Sequence, residues 1–140
     1  GELMARAQAY IDRWLPVVLS PNWHVKLGLK TKKGLRADFG DDNVYPIATS
    51  TPAPGDEHIT MILASDVNWG VDENLESTII HELLHALLRE NGVDALWKNA
   101  SDTLSGLAPQ VADVLNRQHF TVTEQLIDKL AKIIRRASNG

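Results

Sequence analysis

The chain reads as a single α+β domain: a small twisted, mostly antiparallel sheet of three to four strands, packed on an N-terminal helix, a central helix and C-terminal helices. Three observations predict this. Residues 23–30 and 58–64 alternate apolar and polar side chains with the period of a half-buried strand. Residues 2–18, 72–92 and most of 103–137 instead repeat their apolar side chains every three to four positions, the period of an amphipathic helix. Finally, 140 residues with 44% hydrophobic and 23% charged content suffice for one packed core over 1–140 and leave no room for a second.

The elements follow in order. Leu3, Ala7, Tyr10/Ile11, Trp14 and Val18 form one helical stripe, and Pro21 closes that segment. In the first strand, Trp23, Val25, Leu27 and Leu29 share a face opposite His24, Lys26 and Lys30. Thr31-Lys-Lys-Gly34 reads as a turn, and Leu35, Ala37 and Phe39 resume the alternation, so 23–39 is expected to be a hairpin with a basic, solvated tip. Gly40-Asp-Asp-Asn43 is turn chemistry before a strand over 44–49, and Ser50-Thr-Pro-Ala-Pro-Gly55 reads as a loop because of its prolines. Residues 58–64 are the clearest strand, with Ile59, Met61 and Leu63 toward the core. The central helix has Asp72 or Asn74 as cap, Glu73 and Glu76 in its first turn, Arg89 in its last and Gly92 beyond it. A short helical turn over 93–99 precedes a helix from about 103 to 118 and a last helix from about 122 to 137. The bases in the second half of that last helix match the negative end of its dipole.

Composition excludes several classes of function. With no cysteine there is no disulfide framework, thiolate metal site or cysteine nucleophile, so any metal is held by His, Glu or Asp. A net charge of -4 offers no general attraction for nucleic acid. The aliphatic runs are far shorter than a membrane span and the first residues do not read as a secretory signal, so a cytoplasmic monomer is expected.

The chemistry concentrates in His81-Glu82-Leu83-Leu84-His85. Four residues apart on a helix, His81 and His85 stack on one face and together can hold one Zn2+ ion. Glu82 then stands where it can serve as general base, which is the logic of the HExxH pattern of zinc-dependent peptidases. The neighbouring Ile79-Ile80 and Leu83-Leu84 would bury both imidazoles, and buried imidazoles need partners.

A catalytic zinc needs a third protein ligand. Glu90, Asp94, Asp102, Asp113, His119, Glu124 and Asp128 lie downstream, and no third histidine closely follows His85. In Thr121-Val-Thr-Glu124-Gln-Leu-Ile-Asp128 two carboxylates one turn apart share a face. With this Glu-x-x-x-Asp spacing after the histidine pair, the chain resembles the gluzincin metallopeptidases, the thermolysin-like clan, and most of all their minimal members and small phage- or prophage-type metallopeptidase-like proteins. The resemblance implies a zincin-like fold, Glu124 as third zinc ligand and Asp128 as the residue orienting a ligating histidine. Against it stands a capping box, in which Glu124 bonds back to the Thr121 amide with no metal involved. His119 is the next candidate ligand, and Asp94 would suit a different clan.

The expected activity is hydrolysis of peptide bonds, with the zinc-bound water activated by Glu82. The resemblance also implies a peptide or protein substrate bound as an extended strand along 58–64, taken as an edge strand. His119, Tyr45, His58 and His24 are candidates for the oxyanion or substrate contact. The alternative is a catalytically latent, metallopeptidase-like zinc module with a binding or regulatory role; Glu82, which a purely structural zinc would not need, favours the enzyme.

Overall fold

The computed structural model describes residues 1–39, 47–53, 57–71, 73–90 and 93–139. The chain is α+β and, among the described residues, has five helices and a three-stranded mixed sheet in the order α1 (Glu2–Val18), β1 (His24–Lys30), α2 (Lys32–Phe39), β2 (Ala48–Ala53), β3 (His58–Ala64), α3 (Leu75–Glu90), α4 (Val93–Leu107) and α5 (Pro109–Asn139). The apolar stripe of α1 is buried at Ala7, Ile11, Trp14 and Val18, and it meets Ile59, Met61 and Leu63 of β3, the inner face of α3 and Ile127 and Ala131 of α5 in one core. Among the described residues, no helix is long and apolar enough to cross a membrane.

The sheet departs from the expected mostly antiparallel arrangement. Its order is β1-β3-β2, with β3 parallel to β1 and antiparallel to β2. Two consequences correct the sequence reading. First, β1 does not turn back as a hairpin: residues 32–39 are α2, because Thr31 caps a helix, its Oγ1 accepting from the Gly34 amide (3.1 Å) while Asp66 Oδ1 accepts from the Lys32 amide (2.8 Å). On that helix Leu35 is buried and Ala37 is exposed, so the apparent alternation was one buried position followed by a solvent position. Parallel strands also need a crossover, which α2 helps supply. Second, β3 is central and hydrogen-bonded on both sides, so it is not an edge strand, and a peptide cannot add along 58–64.

The edge is β2. It runs through Ser50, Thr51 and Pro52, where a loop was expected, and Pro52 is tolerated because an edge strand has a backbone side that need not donate to a neighbour. The part of the expected 44–49 strand before residue 47 lies outside the described residues.

The helices after α3 are also partitioned differently. Pro109 does not sit in the first turn of a 103–118 helix; it opens α5, where its missing N–H costs nothing, and the chain breaks at Ala108. α4 absorbs both the predicted turn and the start of that helix. α5 then continues through 119–121, where a break was expected, for 31 residues, or about 46 Å. The β-branched run Thr121-Val122-Thr123 lowers propensity there, but tertiary packing overrides it: Ala112, Ile127 and Ala131 are all buried along the one helix.

A polar cluster ties three helices together. Glu76 of α3 is buried and accepts from the Trp14 indole of α1 at 3.2 Å, with Arg13 at 3.5 Å and Arg135 of α5 at 3.3 Å. This holds α5 against α3, and with it the stretch that carries Glu124.

Candidate metal centre

α3 is positioned from its first turn. Asn74 caps it, Oδ1 accepting from the Ser77 amide at 2.9 Å. Leu75, Ile79, Ile80, Leu83 and Ala86 are buried on its inner face. That leaves His81 and His85 half-buried at the α3–α5 seam, their rings edge to face with centroids 4.9 Å apart.

Glu124 reaches both from α5. Its Oε2 is 3.0 Å from His81 Nε2, its Oε1 is 2.7 Å from His85 Nε2, and the two Nε2 atoms are 3.1 Å apart. His81, His85 and Glu124 are the group, among the described residues, whose donor atoms converge closely enough to hold a metal ion, all within 4.8 Å. Because Thr121 lies inside α5, the Thr121–Glu124 capping box does not form: there is no helix start there to cap.

The donor set fits a first-row divalent ion. Adjacent ligands of a tetrahedral ion with bonds of about 2.0–2.1 Å are roughly 3.3 Å apart, close to the spacings here. Two imidazole nitrogens and a carboxylate suit zinc, and other ions of the series as well. With a hydrogen on each Nε2 both histidines donate to Glu124 but leave two N–H groups facing each other 3.1 Å apart; with the Nε2 lone pairs turned inward instead, all three groups can serve one cation.

Burial alone would raise the Glu124 carboxyl, but hydrogen bonds from His81 and His85 and their charge outweigh it and lower its pKa from 4.5 to about 2. The folded-state value lies below the unfolded one. The associated stability of the metal-free protein is therefore present above about pH 4.5 and is lost as the pH falls toward 2. Acid unfolding of wild type and Glu124→Gln is expected to show the wild type losing stability more steeply across that window; parallel curves would contradict it.

Glu82, next to His81 on α3, meets β2 through Ser50 while remaining close enough to His81, His85 and Glu124 for their charges to act on it. It is buried, and its pKa is raised chiefly by burial, against the opposing effects of a hydrogen bond from Ser50 and the neighbouring histidines. Ser50 Oγ lies 2.7 Å from Glu82 Oε2 and 3.3 Å from the Glu82 carbonyl oxygen.

The remaining residues singled out in the sequence are scattered. Asp128 lies on the far side of His81, its Oδ1 3.9 Å from Nδ1, beyond hydrogen-bond reach, while Lys132 takes Oδ2 at 2.9 Å. His119 is not a ligand here; it stacks on Trp97 of α4, centroids 4.0 Å apart and rings 10° from parallel, and the Trp97 indole donates to Asn116. His58 opens β3, between His24 of β1 and Ala53 of β2, and neither histidine belongs to the ligand group. Tyr45 lies outside the described residues, as does the side chain of Asp94. Sequence reasoning missed Ser50, having placed it in a loop. The available signal was a serine two residues from Ala48 on a strand whose partner, β3, is apolar on one face.

Compared with known proteins, the chain matches no family model, no curated protein and no solved structure.

Proposed function

We propose that this chain is a zinc-dependent metallopeptidase of the gluzincin type, hydrolysing peptide bonds of an extended polypeptide. The observation that carries the reading is the convergence of His81 and His85 from α3 with Glu124 from α5, beside a buried Glu82 on the same helix. His81 Nε2, His85 Nε2 and the Glu124 carboxylate would hold one zinc ion. When bound, zinc supplies Lewis-acid polarisation and brings the pKa of water down to about 7. Glu82 would take a proton from water at its carboxylate and pass it to the leaving amine, and burial, which raises its pKa, favours its holding that proton between the two transfers. Asp128, 3.9 Å from His81 Nδ1 and paired with Lys132, adds negative charge near that ring without a direct hydrogen bond to it. An extended substrate would add to β2, the sheet edge beside α3, by main-chain pairing.

Zinc-loaded protein is expected to cleave casein, to stop when a chelator strips the metal, and to resume when zinc is restored. Zinc binding without cleavage would favour the latent module with a binding role; absence of zinc binding would sink both readings.

A further inference from the structure

Ser50 occupies an unusual place for a hydroxyl. In the β2–β3 register it lies opposite Met61, and directly opposed residues of an antiparallel pair share a face. That face carries Ile59, Met61 and Leu63, all fully buried, with Ala48 packed against the same core. The one polar side chain β2 places among them is aimed at α3. It meets two oxygens of one residue there, the Glu82 carboxylate at 2.7 Å and the Glu82 carbonyl at 3.3 Å.

We propose that Ser50 is the positioning residue for Glu82, anchoring one carboxylate oxygen from the edge strand so that the other is held in place to exchange a proton. The inference rests on the peptidase reading for the role of Glu82. A hydroxyl carries one hydrogen and two acceptor lone pairs, so it cannot donate to both oxygens at once. The shorter, charge-assisted contact to the carboxylate takes the hydrogen. With its hydrogen on Oε2, the hydroxyl leaves the other carboxylate oxygen unengaged by Ser50, and the Glu82 carbonyl at 3.3 Å marks how closely Ser50 sits against this turn of α3. Its position on β2 also makes the strand that would take substrate the strand that orients the base.

The test compares wild type, Ser50→Ala and Ser50→Thr, each checked for fold by circular dichroism and for one bound zinc. Initial rates over a casein concentration series are expected to show kcat of Ser50→Ala reduced about 10- to 100-fold with KM little changed, as for a misplaced catalytic group. Ser50→Thr, which keeps the hydroxyl, is expected to recover most of that loss. Crystal structures of the three proteins supply the readout that does not depend on turnover: in Ser50→Ala the Glu82 carboxylate should leave its wild-type position, and in Ser50→Thr it should not. An unmoved Glu82 in Ser50→Ala overturns the inference whatever the rates. A wild type that binds zinc without cleaving casein, with Glu82 displaced in Ser50→Ala, would remove the peptidase reading and leave the positioning role of Ser50 standing.

Discussion

Replacing Glu82 with glutamine is expected to leave zinc bound and to lower casein turnover by about 10²- to 10⁴-fold, the range lost with a general acid–base group. The amide is nearly isosteric, and its oxygen can still accept from Ser50, so the helix and the three ligand atoms stay in place. What it cannot do is take a proton. The same substitution should raise the stability of the metal-free protein near neutral pH, because a carboxyl whose pKa is raised by burial resists ionising inside the fold, whereas glutamine has no charge to bury. Zinc content, kcat and a denaturant midpoint on one preparation check all three statements. A variant that still turned over casein at the wild-type rate would remove Glu82 from the chemistry.

The second large effect is on metal affinity. Glu124→Ala is expected to weaken zinc binding by more than about 100-fold, beyond the 10- to 100-fold typical of losing an outer-shell partner. Asp128→Asn should fall at or below the low end of that range, since Asp128 is 3.9 Å from His81 and already engaged by Lys132. Stability should follow. Zinc at about 100 times its Kd adds about 2.7 kcal/mol to a protein that binds it only when folded. Wild type should therefore show that gain and Glu124→Ala almost none of it, read by calorimetric titration and by thermal unfolding with and without zinc.

Much of the site was legible because it depends on helical periodicity and on residue chemistry, both local properties. His81 and His85 are four apart on a strongly patterned helix, and the structure keeps them on one face. Glu124 was legible as a carboxylate in need of a partner, but its competing role as a cap could be dismissed only once α5 was seen to run unbroken through Thr121. That continuity is set by burial of Ala112, Ile127 and Ala131 against other elements, which local propensity does not report. The sheet was less legible for a related reason. Ile59, Met61 and Leu63 announce a buried strand, yet alternation is blind to which neighbours a strand acquires and cannot tell an edge from the central strand that β3 is. α2 is hidden because Leu35, Ala37 and Phe39 fit a two-residue period, and of its two capping oxygens only that of Thr31 is local, the other belonging to Asp66, thirty-four residues from Lys32. Ser50 escaped for both reasons: Pro52 disguised its strand, and its partner Glu82 is thirty-two residues further on.

The proposed function depends on one cation being held between α3 and α5. The most direct measurement is anomalous diffraction at the zinc edge from crystals of the full chain grown with zinc. The expected result is a single strong peak about 2.0–2.2 Å from His81 Nε2, His85 Nε2 and a Glu124 carboxylate oxygen. A peak on other residues, or a map with none while Glu124 keeps its contacts to both histidines, would contradict it.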